Sequence, residues 1–189
     1  MSCYVTIQDV KSARKVYRLW KDGALGKEYF LLESRQRVLY DRTLPGEGLL
    51  VYHVDEGIDG NANENHPFVK LLEADGLNHL HDGANRGDTG DPYPGSSKNV
   101  ALTSESNPNA KSYGDRDTCV TVASLSATGT IMKVQLGVRC AGGSRPARIS
   151  TRSSRTGTAA GSSRKPRARK KAPAKKRAKA ATARRRARR

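Results

Sequence analysis

Apolar residues in this chain recur in short runs divided by Gly, Pro, Asn and Asp, a rhythm of strands rather than helices. Val16-Tyr17-Arg18-Leu19-Trp20 is a first short strand candidate, and Tyr29-Phe30-Leu31-Leu32, flanked by Glu28 and Glu33, is a second. Leu44-Pro45-Gly46-Glu47-Gly48 reads as a turn, and Leu49-Leu50-Val51-Tyr52-His53-Val54 follows it. The second and third runs are continuous rather than alternating, as in strands buried on both faces. Phe68-Val69-Lys70-Leu71-Leu72 suits a strand or a helix. Residues 75–118, rich in Gly, Asn, Asp, Ser and Pro, read as a long loop region, which in a compact domain is often functional or ion-bound. The clearest element comes last. Val120 and Val122 precede a turn at Gly129, after which Met132, Val134, Leu136 and Val138 alternate with Lys133, Gln135, Gly137 and Arg139. That pattern is a hairpin with one buried face. With Val122 opposite Leu136, Cys140 falls on the inner face with Val138 and Cys119 on the outer face with Thr121. Opposed residues share a face, so no Cys119–Cys140 bridge is expected unless a bulge shifts the parity. The expectation is a mostly-β, sheet-rich fold with long Gly/Asp/Asn-rich loops and a C-terminal hairpin, and no internal repeat.

Charge divides the chain in two. Of 35 Lys and Arg and 18 Asp and Glu, residues 141–189 hold 19 of the basic residues and none of the acidic ones. Residues 1–140 keep 16 basic against 18 acidic, a net of −2, so the high isoelectric point belongs to the tail alone. The tail has one large aliphatic, Ile149, and no aromatic, and cannot bury enough apolar surface to offset its ordering entropy. Two regions follow: a β-rich domain over 1–140 and a disordered polybasic tail over 141–189. Residues 1–20 carry Lys11, Arg14, Lys15 and Arg18 without an apolar run of signal-peptide length, and the longest apolar runs are strand-sized, too short to span a membrane. The three cysteines, Cys3, Cys119 and Cys140, form no metal-type pair and leave the redox compartment open.

Four segments together carry a family resemblance. Glu28-Tyr29-Phe30-Leu31-Leu32-Glu33-Ser34-Arg35-Gln36 is the first, and Leu44 through Glu56, with the core Leu49-Leu50-Val51-Tyr52-His53-Val54-Asp55-Glu56, is the second. Glu73-Ala74-Asp75-Gly76 and Gly87-Asp88-Thr89-Gly90-Asp91-Pro92-Tyr93-Pro94-Gly95 follow in order. Over roughly residues 15–138 this order resembles the immune inhibitor A family of secreted zinc metallopeptidases, family six, in the part of the peptidase unit that follows the zinc helix. The resemblance implies a secreted, zinc-dependent protease. It does not extend to the catalytic motif. Such enzymes bind zinc through an HExxH helix whose Glu activates the water. Here the four His residues are followed by Val54, Pro67, Leu80 and Asp82, so the chain contains no HExxH and no catalytic residue can be carried over. The chain resembles the C-terminal portion of such an enzyme, from a truncated gene or a late start codon, its partner being a missing N-terminal peptidase segment. The absence of a signal peptide fits that view and implies a cytoplasmic location for the chain as it stands.

Candidate chemistry is sparse. His53 and Asp55 sit at the end of a central strand. One reading places them beside the peptidase cleft. The other makes His53 a hydrogen-bonded, half-buried sheet residue, and lone His residues usually do such structural work. His79-Leu80-His81 has a spacing that allows a shared metal, but no third ligand is identifiable and the segment reads as a solvated turn. Residues 55–91 hold nine of the 18 carboxylates, and Asp82, Asp88 and Asp91 among the glycines are candidates for calcium, without EF-hand spacing. The competing reading is that Asp and Asn merely stabilise turns there.

In the tail, Arg164, Lys165, Arg167, Arg169, Lys170, Lys171, Lys175, Lys176, Arg177, Lys179, Arg184, Arg185, Arg186, Arg188 and Arg189 are polyanion-binding candidates. The Lys/Ala/Pro mix resembles the basic arms of linker histones and bacterial histone-like proteins. Such charge binds DNA or RNA by neutralising phosphates and releasing counterions, without sequence choice, and would equally hold an anionic surface. Two functional readings result. One is a fragment or relict of an immune inhibitor A-like metallopeptidase. The other is a non-catalytic binding protein whose tail holds nucleic acid or another polyanion.

Overall fold

The computed structural model describes residues 2–140; the tail, with every polyanion-binding candidate from Arg164 to Arg189, lies outside the described residues. The domain is mostly β, as the pattern of apolar runs implies. Its strands are β1 (Ser2–Gln8), β2 (Tyr17–Leu19), β3 (Glu28–Arg35), β4 (Gly48–Asp55), β5 (Val69–Leu71), β6 (Val120–Ala123) and β7 (Ile131–Val138). A single helical turn, α1 (Val10–Ala13), follows β1. The strands form two antiparallel sheets, in the orders β1-β7-β6 and β2-β3-β4-β5.

In the four-stranded sheet, β3 and β4 pair along their whole length, from Glu28 opposite Asp55 to Arg35 opposite Gly48. Phe30, Leu32 and Ser34 face the interior together with Leu49, Val51 and His53, all of them buried. The other face is half covered: Leu31, Leu50 and Tyr52 are of intermediate exposure, so the continuous apolar runs reflect one fully buried face rather than two. In the three-stranded sheet, Ile7, Val120, Val122, Met132, Val134 and Leu136 face the same core, so that both sheets bury their apolar sides in one cluster. The central position of β7 explains its strict alternation, since only one of its faces meets that core.

The hairpin has the expected register, with Val122 opposite Leu136. The expectation for the cysteines is nevertheless wrong. Cys119 and Cys140 are joined in a disulfide, with Cα atoms 4.4 Å apart. The face rule holds only where the backbone stays in the ladder. Cys119 has a positive φ of 63° and stands just before β6, and Cys140 lies beyond the end of β7. Past the strand ends the side chains turn toward each other, while the Arg139 N–H still donates to the Cys119 carbonyl at 2.7 Å. Cys3 is exposed and free.

Residues 72–119 form the long irregular region, pinned to both sheets. Leu49 and Tyr93 exchange backbone hydrogen bonds of 2.9 and 2.8 Å, and Leu102 and Val122 exchange bonds of 2.7 and 2.9 Å. Tyr93 and Leu102 are fully buried, which is why a polar segment of this length stays ordered. Gly48 is required at the first of these anchors: its φ is +148°, and a side-chain carbon there would collide with the Tyr93 carbonyl.

Candidate metal centre

Glu73 lies just past β5, where the chain leaves the sheet and turns. The Gly76 N–H closes that turn on the Glu73 carbonyl at 2.9 Å. The turn then meets residues 90–91 side by side, with Ala74 N–H donating to the Asp91 carbonyl at 2.9 Å and Asp75 N–H to that of Gly90 at 3.2 Å. This pairing brings Glu73, Asp75 and Asp91 together, with one oxygen of each within 4.8 Å of the others. Glu73 and Asp91 are buried and Asp75 is half-buried.

Each carboxylate is oriented through one oxygen by a backbone amide. His81 N–H donates to Glu73 Oε1 at 3.1 Å, Leu77 N–H to Asp75 Oδ1 at 3.0 Å, and Asp88 N–H to Asp91 Oδ2 at 2.7 Å. The second oxygens of the two buried groups, Glu73 Oε2 and Asp91 Oδ1, have no hydrogen-bond partner. Asp75 Oδ2 faces Gly90, at which a side chain would collide with it. No Lys or Arg among the described residues forms a salt bridge with any of the three. Burial raises the Asp91 carboxyl above its ordinary value, and the neighbouring Asp88, Glu73 and Asp75 charges push it the same way, against the lowering effect of the Asp88 amide.

Of the three calcium candidates read from sequence, only Asp91 enters this cluster. Asp82 is exposed to solvent. Asp88 uses both oxygens to shape its own turn, accepting from Gly90 N–H at 2.7 Å and from Asn85 Nδ2 at 2.8 Å. Glu73 and Asp75 were counted in the acidic stretch but not singled out, because their approach to Asp91 depends on a pairing between segments about 16 residues apart, and loop residues carry no periodicity that would announce it.

His53 and Asp55 occupy a different place. His53 is buried, its Nε2 2.9 Å from Glu28 Oε1 on the neighbouring strand. Its ring stacks between Phe30 and Tyr113 at 4.5 and 4.2 Å, and His66 stacks on the far side of Tyr113 at 4.0 Å. Asp55 bonds the His66 Nε2 at 2.8 Å and accepts from Gly57 N–H at 2.8 Å. Glu28 also accepts the Tyr113 N–H at 2.8 Å, and burial, followed by the Glu28 and Asp55 charges, pushes the Tyr113 phenol up to about 12. These bonds suit the structural reading of the strand histidine, and its ring also borders an open cleft lined by Lys70, Asn107, Lys111 and Tyr113. Glu28, His66 and Tyr113 complete a stack that no spacing in the sequence announces.

No His among the described residues belongs to a potential metal-ligand group of three or more. His53 and His66 are committed to carboxylates, the His81 ring lies 2.9 Å from the Glu64 carbonyl, and His79 and His81 sit in consecutive turns rather than on a strand. The three-carboxylate cluster, which has no nitrogen or sulfur donor, is the sole potential metal-ligand group among the described residues.

No model of a known protein family, no curated protein and no solved structure matches the chain.

Proposed function

We propose that the β-rich domain is a non-catalytic scaffold portion of an immune inhibitor A-like secreted metallopeptidase, carrying a polycationic tail. One observation supports the reading most directly. The four segments that bear the resemblance are contiguous in space: Glu28–Gln36 and Leu44–Glu56 contain the paired strands β3 and β4, and Gly87–Gly95 reaches β4 through the Leu49–Tyr93 bridge and residues 74–75 through paired backbone bonds. The Cys119–Cys140 disulfide supports a secreted setting, since such bonds persist in oxidising compartments.

The scaffold supplies a sheet and a cleft wall but no ligand for zinc and no base for water, which metal-assisted hydrolysis requires. The purified chain is therefore expected to leave casein and gelatin intact, with or without added zinc. Cleavage that EDTA abolishes and zinc restores, in a contaminant-free preparation, overturns the non-catalytic assignment. Intact mass and N-terminal sequencing of the natural product test the family reading. A longer polypeptide with HExxH ahead of β2 supports it, and a product starting at Met1 favours the second reading.

That second reading is a binding protein whose tail holds polyanions. The partition of charge favours it, with +19 on residues 141–189 against −2 on the remainder.

A further inference from the structure

Turn formation accounts for half of the acidic cluster and leaves the other half unexplained. Backbone amides occupy Asp75 Oδ1, Asp91 Oδ2, Asp88 Oδ1 and Glu73 Oε1, bonds of a kind common for acidic residues in loops, and the Asn85 side-chain amide occupies Asp88 Oδ2. They give no role to Glu73 Oε2 or Asp91 Oδ1, which are buried and unpartnered in residues only 2% and 4% exposed. A buried carboxylate oxygen without a donor loses its hydration uncompensated, and the cost is greater when the group is charged. Two of them beside a third carboxylate, with no basic side chain paired to any of them, would repel one another as well.

We propose that Glu73, Asp75 and Asp91 form a binding site for a hard divalent cation of the calcium class. All three donors are carboxylate oxygens, the ligand type that Ca²⁺ and Mg²⁺ prefer and that soft or borderline metals do not require. Oxygens sharing one calcium ion at about 2.4 Å each can stand at most about 4.8 Å apart, the span within which the three oxygens lie. A backbone amide holds one oxygen of each carboxylate, so the three groups are oriented before a cation arrives. Three fixed charges with the rest of the shell left to waters and carbonyls suit the larger, more permissive calcium better than magnesium, which demands a tight octahedron. The bound ion would tie residues 73–75 at the end of β5 to residues 90–91, and through Tyr93 to β4. This inference does not depend on the peptidase reading.

The test uses the full chain. Melting temperature is followed in CaCl₂, MgCl₂ and EDTA at matched ionic strength, and binding is read directly by terbium luminescence. Calcium is expected to raise the melting temperature with a midpoint of roughly 10⁻⁵–10⁻³ M, and magnesium to do so more weakly. Glu73→Gln and Asp91→Asn are expected to weaken calcium at least about tenfold, whereas Asp82→Asn leaves it unchanged. Asp75→Asn, at the half-exposed ligand, serves if the buried variants do not fold, and is expected to weaken terbium as well. Identical melting in calcium and EDTA overturns the proposal. Calcium binding that survives Asp75→Asn and Glu73→Gln, or is lost in Asp82→Asn, also overturns it by placing the ion elsewhere.

Discussion

Asp9 is the carboxylate on which the junction between the two sheets depends. It is buried, caps α1 by accepting the Lys11 N–H at 2.8 Å, and reaches across to the Gln36 N–H, also at 2.8 Å. The Lys11 ammonium lies 3.1 Å from it and 2.8 Å from Asp41, which in turn meets Arg35 at 3.1 Å. Burial penalises the Asp9 charge, but the amides and the Lys11 ammonium outweigh that penalty and hold its pKa below the ordinary 3.8. In Asp9→Asn the amide oxygen still accepts on one side, but the NH₂ replaces an oxygen that met the Lys11 N–H or the Gln36 N–H and Lys11 ammonium, and the loss expected is about 1–3 kcal/mol at neutral pH. The sign with pH follows from linkage. A carboxyl whose folded pKa is lowered contributes stability that is fully present above its unfolded value and is lost as pH falls through the folded one. Urea unfolding should therefore show the gap between wild type and Asp9→Asn at pH 7 narrowing at about pH 3 and below. A gap independent of pH would mean that the cap acts by shape alone. Lys11 lies two residues on, but the reach of Asp9 to Gln36, 27 residues away, had no signal in the sequence.

The hairpin shows what element-scale patterning can and cannot deliver. The disulfide closes the base of β6 and β7 over a separation of 21 residues. In the chain-entropy account, removing a loop closure of that size costs about 3 kcal/mol. Reduction, or the double substitution Cys119→Ser with Cys140→Ser, is expected to lower stability by that order in urea unfolding. Thiol titration of the unfolded, unreduced chain should find one reactive cysteine, Cys3. Three would show that the bridge does not form. Strict alternation from Met132 to Val138 made β7 and its register with β6 readable, because one face meets the core and the other does not. The same parity misled at the cysteines, because a positive φ at Cys119 is a backbone property that composition does not disclose. The β1 strand had no comparable signal. It buries only Ile7 among its seven residues and is recruited by the free edge of β7, so that tertiary pairing rather than its own pattern makes it a strand. The apolar runs behind β2, β3, β4 and β5 were visible for the opposite reason, each supplying bulky side chains to one sheet. The metal-ligand cluster was half legible: the richness in carboxylates stood out, but which three converge depended on residues 74–75 pairing with 90–91.

At the scale of the whole molecule, the net positive charge lies in residues 141–189, so any polyanion binding is expected from that end of the chain. Residues 1–140 carry a net −2 and repel nucleic acid weakly, whereas residues 141–189 carry +19 with no aromatic for base stacking. Binding through such a segment comes from counterion release and should be indifferent to base sequence. If ~6–10 phosphates are engaged, affinity should fall by roughly 10³–10⁵ between about 50 and 200 mM salt. Truncation after Cys140 is expected to abolish the interaction and heparin to compete for it, which gel shifts and fluorescence anisotropy would measure. Retained DNA binding in the truncated chain, or binding by the full chain that ignores salt, would put the contact surface on the folded domain instead. The disulfide bears on which polyanion matters. On the secreted reading proposed above, with the hairpin pair oxidised, an anionic cell surface is the expected partner rather than a nucleoid. Fractionation of the native protein between culture medium, cell surface and nucleoid separates the two. Recovery in the nucleoid with Cys119 and Cys140 reduced would favour the nucleic-acid reading over the secreted one.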